Sequence, residues 1–419
     1  MRIVILGAGV IGITTAYELS RNQDFQITVV DSSPEPASEA SGVNAAMIAP
    51  GHAFAWASPK VPAILLKSIF RNDQAFRLRF RFDMQFWRWT ALFLKQCNNA
   101  DAIRNTIQKH NLCVYSQKRL GTINRENDID YERIAKGLLY VYRRDASFRA
   151  GVEHSKILQD NGQQLEVLGT DEVIDLEPAF EHACNRIAGA IYSPTCETGN
   201  SQIFCRKLAR ICELKGVEFL FDTKVKSIIT ESKRAQSVMT SNGEIEADLF
   251  VVCLGAYTPT VLKPIGINLP IYPVKGYSLT LPANQQQTNL SIGTVDEDNL
   301  VACSPIGQSV RATATAEFAG YDLTHKPKDF APMMNAVQEL LPHAAIYDKP
   351  IFRTCFRPMT PQGTPYIGYA KFPNLFVNSG QGHMGWTMSC GSAKIAADLI
   401  MGEKPEIDAE VFRPNRSVP

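Results

Sequence analysis

The sequence predicts an α/β protein, α+β overall, in which one domain is assembled from discontinuous segments and a second domain is rich in sheet. Three observations support this fold class. A strand, a glycine turn, a helix and a second strand follow one another within residues 2–31, which is a βαβ unit of the usual length. Alternating strand and helix patterns return at 194–262 and again after 350. Between these returns, residues 263–349 show mostly strand patterns.

Chain length supports the same division. A chain of 419 residues exceeds one ordinary hydrophobic core, so two domains are expected. We expect the first domain to contain 1–62, 194–262 and 350–419, and the second to contain 63–193 and 263–349. Ligand sites favour such domain junctions, and we expect the site there.

Charge and cysteine usage exclude several classes of function. A net charge of +1 creates no long-range field that would attract nucleic acid. The 10 cysteines show no CxxC spacing and the 7 histidines are scattered, which predicts reduced thiols and no metal site. A strand that begins at Arg2 leaves no room for a signal peptide, and no apolar run reaches the roughly 18 residues of a membrane span. These features predict a cytoplasmic protein.

The first motif is GAGVIG, Gly7 to Gly12, between the strand RIVIL and a helix. Gly7 permits the tight turn, Gly9 lets the backbone approach a pyrophosphate, and Gly12 lets the helix pack closely on the strand. The helix N-terminus adds N–H donors for the phosphates. Asp31 ends the second strand, QITVV, where it can bind ribose hydroxyls. The unit predicts a dinucleotide site and leaves NAD and FAD open, although its position at the start of the chain favours FAD.

Two further stretches are less specific. Small residues dominate 39–62, with Ser41 and Asn44 as polar points; such a stretch can run along a flat ligand or be an ordinary loop. Residues 63–97 contain two helical patterns, ILLKSIF and RFDMQFWRWTALFLKQC. In the second pattern aromatic residues share one face and arginines surround them, and the residues concerned are Phe82, Phe86, Trp89 and Phe93 with Arg71, Arg77, Arg79, Arg81 and Arg88. This helix could lie on an anionic membrane, or its aromatic face could be core with a solvated rim.

The loop FRPMTPQGTPYIG, 356–368, carries one arginine, Arg357. A guanidinium keeps its proton in proteins, so inside a pocket it needs an anion. That anion is either a ligand carboxylate, which a guanidinium fork binds at two points, or an internal Asp or Glu.

Taken together, these blocks resemble the D-amino acid oxidase superfamily of FAD-dependent oxidoreductases, and within it the bacterial D-amino acid dehydrogenase small subunit. The resemblance covers nearly the whole chain. It rests on GAGVIG with Asp31 and on SGVNAAMIAPG, WASPKVP, ETGNSQIF, YPVKGYSLT, FRPMTPQGTPYIG and GHMGWTMSCGSAK. It implies FAD as the cofactor, a Rossmann-like FAD-binding domain of the glutathione-reductase type, and a sheet-rich substrate domain.

The resemblance also implies a set of site residues. Besides the glycine turn and Asp31, the implied FAD contacts are Ser41, Asn44, Ala46, Ile48, Val225, Gly255, Gly382, His383, Met384, Gly385, Trp386 and Thr387. Arg357 is implied to bind the substrate carboxylate. Tyr277, in KGYSLT, and His52 are further pocket candidates, with a core tyrosine and an incidental histidine as the alternatives.

The implied reaction is oxidative deamination of D-amino acids to 2-oxo acids and ammonia. Hydride passes from the substrate Cα to flavin N5, and the electrons go on to a quinone or another acceptor. An acceptor in the membrane would suit a peripheral contact of 63–97 with the inner face of the cytoplasmic membrane. Two alternatives of different mechanism are an oxygen-using oxidase of the same fold, acting on a D-amino acid, glycine or an N-methyl amino acid, and a flavin subunit of a hetero-oligomeric amine dehydrogenase.

Two departures from the family pattern accompany the resemblance. Thr313 and Ala314 stand where relatives usually have a Gly–Gly pair, and their side chains are expected to narrow or reshape the pocket. Ser32 and Ser33 follow Asp31, where relatives often carry a basic residue.

Overall fold

The structure is a computed structural model that describes residues 1–62, 76–79 and 83–416. Its strands are β1 Arg2–Leu6, β2 Gln26–Val30, β3 Met47–Ile48, β4 Phe76–Leu78, β5 Leu138–Tyr142, β6 Glu166–Leu168, β7 Gly189–Ser193, β8 Glu197–Thr198, β9 Glu218–Leu220, β10 Val225–Glu231, β11 Arg234–Thr240, β12 Gly243–Glu246, β13 Leu249–Val252, β14 Tyr272–Pro282, β15 Gly293–Asp296, β16 Val301–Ile306, β17 Ser309–Phe318, β18 Ile351–Met359, β19 Tyr366–Tyr369 and β20 Leu375–Ser379. Its α-helices are α1 Val10–Leu19, α2 Met84–Lys95, α3 Asn99–Asn127, α4 Asp145–Asp160, α5 Thr170–Leu176, α6 Ser201–Leu214, α7 Thr258–Leu262, α8 Ala331–Leu340 and α9 Gly385–Met401. The predicted helix ILLKSIF lies outside the described residues.

A six-stranded sheet carries the predicted βαβ unit. Its strand order is β19-β20-β13-β1-β2-β9, and β1 pairs in parallel with both β2 and β13. The predicted strands RIVIL and QITVV are β1 and β2, and the predicted helix between them is α1, so this unit is confirmed. Helices α1, α3, α6 and α9 cover one face, where their apolar side chains form one core cluster with the sheet. Burial on both faces explains why β1 reads as a continuous apolar run.

A nine-stranded sheet forms the second layer, as the strand-rich middle of the sequence predicts. Its order is β18-β14-β17-β16-β15-β5-β7-β6, and β4 pairs with β17. One face packs on α8 and forms a separate core that includes Leu279, Phe330 and Val337. The other face turns toward the six-stranded sheet and carries Arg357.

Two elements lie in a different layer from the one that the sequence predicts. The domain boundary expected at 350 precedes β18, which pairs with β14 in the nine-stranded sheet. Helix α3, expected in the second domain, packs on α9 and shares one core cluster with α1 and the six-stranded sheet. The reason is the same in both cases: a strand or an amphipathic helix shows its buried face in the sequence, but the pattern does not identify the element that covers this face.

The aromatic face predicted for 81–97 is core where the structure describes it. Helix α2 begins after Asp83, whose Oδ1 accepts hydrogen bonds from the backbone N–H groups of Gln85 and Phe86. Trp89 and Phe93 are 2% and 5% exposed and stack on each other with ring centroids 4.9 Å apart. They are therefore not free to meet a membrane, and Phe82 lies outside the described residues. No helix in the described part of the chain is long and apolar enough to cross a bilayer.

Two ion pairs, one from α1 to α3 and one from the turn after α1 to α3, allow a matched test of this packing. Arg119 binds Glu18 through Nε at 2.6 Å and Nη2 at 2.8 Å, and the Glu18 side chain is 1% exposed. Arg21 binds Glu126 at 2.7 Å where both side chains are exposed, 44% and 36%. Arg119→Met leaves a buried carboxylate without its cation, and we expect it to lower the free energy of unfolding by about 3 kcal/mol. Arg21→Met should cost less than about 1 kcal/mol. Equal losses in denaturant unfolding would contradict this account.

Candidate active site

A continuous cavity of about 1340 Å³ runs between the two sheets. At one end it is lined by the glycine turn after β1 and by Asp31. At the other end it is lined by Arg357 and by aromatic residues that include Trp56, Phe76 and Trp89. The predicted location of the site at the junction of the two layers is therefore where this cavity lies.

The glycine turn has the geometry that the motif predicts. Gly7 has φ +107°, and a Cβ there would lie 2.6 Å from the carbonyl oxygen of Cys253. A Cβ on Gly12 would lie 1.8 Å from the carbonyl oxygen of Gly7, so Gly12 lets α1 pack against the strand. Gly9 lines the cavity, and a Cβ there would meet only Ser41 Oγ, at 3.3 Å. Space beside Gly9 is thus left for a ligand.

Asp31 and Ser41 hold this turn in place. Asp31 Oδ2 accepts the N–H of Ala8 at 2.6 Å, and Oδ1 accepts the N–H of Ser33 at 2.8 Å. The N–H of Val10 donates to Ser41 Oγ at 3.0 Å. Asp31 and Ser41 also line the cavity, and each Asp31 oxygen keeps a second lone pair for a ribose hydroxyl.

Of the implied contacts after Ser41, Asn44 lines the cavity, whereas Ala46 and Ile48 do not. Asn44 Nδ2 donates to Ser201 Oγ at 2.9 Å, and Asn44 Oδ1 accepts the N–H of Ala46 at 2.9 Å. Ala46, at φ +56°, and Ile48 are fully buried in the protein. Because successive residues point to opposite sides of an extended segment, the lining side chains are instead Ala45, Met47 and Ala49. Contacts of Ala46 and Ile48 with FAD stay a prediction for their backbone atoms.

Val225 and Gly255 line the same cavity from the two strands named in the sequence. Val225 is the first residue of β10. Gly255 follows β13 and has φ +52°, and a Cβ there would meet nothing within 4 Å. The left-handed backbone requires glycine, and the empty surroundings place its backbone at the cavity wall.

The glycine loop after β20 lies against β18 and opens α9. A 3-10 turn spans Gly382–Met384 and packs on β18. Thr387 Oγ1 accepts the N–H of Ala49 at 3.2 Å, which ties α9 to the segment after Ser41. The backbone N–H groups of the first turn of α9, which begins at Gly385, have no partner within the helix. Residues 381–387 all line the cavity, so the implied loop contributes a helix N-terminus to it.

Arg357 reaches the cavity from β18 without an acidic partner in the described residues. Nη1 donates to the carbonyl oxygen of Thr315 at 3.0 Å, and Nη2 donates to that of Ala314 at 3.1 Å. Burial lowers the pKa of Arg357 below its usual value, yet a guanidinium remains charged. Its remaining donors are available to an anion in the cavity, so the alternative of an internal Asp or Glu finds no support.

The sequence did not predict how Arg357 is seated. A Cβ on Gly276 would lie 2.8 Å from Arg357 Nε, so the glycine of KGYSLT makes room for the guanidinium. Thr315 has φ +55° and sits where the pairing of β14 with β17 shifts register. A β-branched residue in this region is strained, and such strain persists where the surroundings enforce it. This bulge turns two successive carbonyls toward Arg357.

The expected narrowing by Thr313 and Ala314 divides between two faces of the sheet. Ala314 belongs to the core on the α8 face, although its carbonyl binds Arg357. Thr313 pairs with Ser278 and lines the cavity. Reshaping by a side chain therefore falls to Thr313.

The side chains of Tyr277 and His52 each contact the carboxylate of a glutamate. The Tyr277 hydroxyl donates to Glu317, and its ring packs on Phe330 in the core on the α8 face. Tyr277 also lines the cavity, so its packing supports the core interpretation for the ring, and a contact with the substrate carboxylate stays a prediction. His52 Nε2 lies 2.7 Å from Glu297 Oε1 and its ring stacks on Tyr140. His52 and Glu297 line the cavity, and a role of His52 in the reaction stays a prediction.

The residues present fit FAD. The turn leaves space at Gly9 for a pyrophosphate, and Asp31 offers acceptors to a ribose. The indole Nε1 of Trp386 is buried and has no acceptor among the described residues. The acidic residues Asp31 and Glu39 line the cavity, as do Glu297, which contacts His52, and the cation Arg357. Burial, and then Asp31, raises the pKa of Glu39. No group of three or more metal-binding side chains occurs in the described residues.

A sheet with the glycine turn of a dinucleotide site, a second sheet that carries Arg357 and a cavity lined by both are the architecture expected of a flavoprotein oxidoreductase. The family model for FAD-dependent oxidoreductases matches residues 2–399. The chain therefore belongs to that family, and its cofactor is FAD.

Relatives and solved structures agree with this assignment. The chain is 39% identical over 411 residues to D-amino acid dehydrogenase 2 of Mesorhizobium japonicum, covering 98% of this chain and 99% of the relative. It is 37% identical to D-amino acid dehydrogenase of Granulibacter bethesdensis, covering 97% of each. Glycine oxidase from Geobacillus kaustophilus has the same fold, with a TM-score of 0.75 at 20% identity and full coverage of both chains. L-proline dehydrogenase from P. horikoshii aligns with a TM-score of 0.74 at 16% identity, covering 99% of this chain and 97% of that one.

Proposed function

We propose that this enzyme catalyses the FAD-dependent oxidative deamination of D-amino acids to 2-oxo acids and ammonia. The observation that carries the proposal is Arg357, a part-buried guanidinium that lines the cavity and whose hydrogen bonds with the described residues go to backbone carbonyls. The names of the relatives at 37–39% identity support a D-amino acid as the substrate. Electrons then pass to a quinone or a similar acceptor.

Arg357 binds and orients the substrate. Its donors to Thr315 and Ala314 hold the guanidinium plane, and the remaining donors bind the substrate carboxylate at two points. This fixes the carboxylate, one of the four substituents of Cα, and so limits the orientations in which the Cα–H bond can face the flavin. FAD, when bound, accepts the hydride from the substrate Cα.

The apolar walls of the cavity limit the access of water, and His383 and His52 are not expected to take a proton from the substrate amine. Aromatic and aliphatic walls around Arg357, among them Phe76, Trp89 and Phe356, exclude water. Burial and the charges of Lys109 and Arg357 hold the pKa of His383 well below its usual value, so this ring does not serve as a base near neutral pH. His52 is engaged by Glu297. We therefore expect the enzyme to bind the amino acid with its amine already neutral.

The test of this function is product analysis with D- and L-isomers of the same amino acids and an artificial electron acceptor. We expect D-isomers to yield ammonia and a 2-oxo acid in equal amounts, with reduction of the acceptor and little peroxide in air. Stoichiometric peroxide would show an oxygen-using oxidase instead. Yellow protein with no turnover of any isomer would favour a flavin subunit that needs a partner.

We further propose that the outer face of α2 contacts the membrane that holds the acceptor. Met84, Trp87 and Leu94 share one side of the helix and are 80%, 49% and 43% exposed. Exposed Arg88 and Lys95 lie beside them. Apolar side chains with a basic edge suit an anionic bilayer surface. Trp87 and Leu94 also line the cavity, so apolar surface continues from this face into the site.

Co-sedimentation with anionic phospholipid vesicles tests this contact. Trp87→Ser should weaken binding about fivefold, because an interfacial aromatic side chain is lost. Tyr369→Ser is the matched control, since Tyr369 is 39% exposed on a different element. Equal binding by the two variants, or none by the unaltered protein, would exclude α2 as the contact.

A further inference from the structure

A buried lysine stands behind the turn that precedes α9. The Lys109 side chain is 1% exposed, and its Nζ donates to the carbonyl oxygen of Phe54 at 2.8 Å. Nζ also lies 3.5 Å from Nε2 of His383. In the part of the chain that the structure describes, no carboxylate pairs with Lys109, and its electrostatic neighbour is the Cys113 thiol. Buried lysines without an acidic partner are rare, so this one calls for an anion from elsewhere.

His383 lies between this lysine and the cavity. Its ring lines the cavity and stacks on Trp56 with centroids 4.8 Å apart. An ammonium group only donates, so Nε2 is the acceptor and the proton of the neutral ring is assigned to Nδ1. Nδ1 makes no hydrogen bond with the residues described. Lys109 therefore selects the tautomer that offers an N–H donor to the cavity.

The charges around this pair are uneven. Arg357 and Lys109 are the cations that face His383. The other ionisable side chains near this pair in the described residues are His52 with its partner Glu297, His154 on α4, and Cys113 on α3 itself. Glu297 is occupied by His52, and Arg357 is assigned to the substrate carboxylate in the function proposed above. Lys109 is then a second positive charge with no anion assigned to it.

We propose that Lys109, acting through His383, is a positioning residue that stabilises the negative charge of the reduced cofactor. FAD takes up two electrons and one proton to give an anion with a single negative charge. His383 offers its Nδ1–H from the loop implied to hold the flavin, and Lys109 supplies the net charge behind it. This inference rests on the proposed function only for the assignment of Arg357.

The charge of Lys109 also makes reduction sensitive to pH. Burial lowers the pKa of Lys109 to about 8. An anion formed nearby raises it, because the opposite charge favours the protonated amine. Below about pH 8 the lysine is charged in both states and reduction takes up one proton; between about pH 8 and the raised pKa of the reduced state, reduction takes up a second proton, at Lys109.

The experiment measures the two-electron reduction equilibrium of the holoenzyme against reference dyes across pH. In the unaltered enzyme, proton uptake per two electrons should rise from one toward two between about pH 8 and the raised pKa of Lys109 in the reduced enzyme. Lys109→Met should remove this step and lower the reduction equilibrium constant at neutral pH at least tenfold, about 30 mV for a two-electron couple. Lys109→Arg keeps the charge but does not titrate, so it should restore the neutral-pH value without the step.

Controls separate this role from substrate binding and from folding. Lys394→Met removes a lysine that pairs with Asp398 on α9 and should leave the equilibrium unchanged. Benzoate, as a probe carboxylate, should bind Lys109→Met as tightly as the unaltered enzyme. Weaker benzoate binding with an unchanged reduction equilibrium would overturn the proposal, and so would constant proton uptake in the unaltered enzyme even if Lys109→Met failed to fold. Chemical reduction needs no amino acid, so the outcome is independent of whether D-amino acids are the substrate.

Discussion

Arg357→Ala is expected to lower kcat/KM for a D-amino acid by about 2–4 kcal/mol, roughly 30- to 1000-fold, while FAD stays bound. The loss follows from the geometry, because Arg357 is a part-buried cation that lines the cavity with donors left over for a carboxylate. KM should rise most, since the carboxylate is bound in the ground state as well. Steady-state kinetics with FAD-saturated protein measure both constants.

Three further variants define the reason for this loss. Arg357→Lys keeps the positive charge but loses the planar guanidinium fork. Its kcat/KM should therefore lie between those of the unaltered enzyme and Arg357→Ala. Gly276→Ala places a Cβ 2.8 Å from Arg357 Nε and should raise KM by displacing the guanidinium. Arg353→Ala is the matched control on the same strand, because its Nη2 is bound to the carbonyl oxygen of Ser38 at 3.0 Å. Unchanged kinetics in Arg357→Ala would remove this residue from the site.

Gly9→Val is expected to give a folded, colourless protein. Gly9 has φ −68° and ψ 176°, which an L-residue adopts, and its Cβ would meet only Ser41 Oγ. The fold should therefore tolerate the change, while the branched side chain fills the space where the backbone must approach the pyrophosphate. We expect FAD affinity to fall about 100-fold or more, equivalent to roughly 3 kcal/mol. The flavin-to-protein ratio after desalting and far-UV circular dichroism measure the two outcomes.

Substitutions at two other glycines serve as comparisons for Gly9→Val. Gly121→Val is a control in α3, where a Cβ meets only Arg125 Nη1 at 3.7 Å, and it should remain yellow. Gly12→Ala brings a Cβ to 1.8 Å from the carbonyl oxygen of Gly7, so it should destabilise the fold itself. A fully yellow Gly9→Val would mean that the pyrophosphate does not approach this turn.

The local parts of the cofactor site could be predicted because their determinants are adjacent in sequence. The turn at Gly7, the packing at Gly12 and the acceptor at Asp31 all lie within one βαβ unit, and each residue type has one physical reason. Residues 217–230 show where prediction from a local sequence pattern is wrong. They read as one strand but divide into β9 and β10 in two different sheets, with Asp222 at φ +51° between them.

The seat of Arg357 could not be predicted, because it depends on strands far apart in the chain. Gly276 and Thr315 act on Arg357 only when β14 pairs with both β17 and β18, and no local pattern gives that register. Lys109 left a signal that could have been used. It lies four residues before Cys113 on the buried side of α3, and a lysine on an apolar helical face is a candidate for function.

The proposed oxidation of D-amino acids is tested by adding a D-amino acid to the purified yellow protein in the absence of oxygen. We expect D-alanine, or a bulkier D-amino acid, to bleach the visible flavin band, and the L-isomer to leave it unchanged. We expect Arg357→Ala to bleach far more slowly at the same concentration. Slow return of colour on admission of air would then indicate a dehydrogenase. If the band persists with every D-amino acid, in protein that dithionite bleaches normally, the proposed function is wrong.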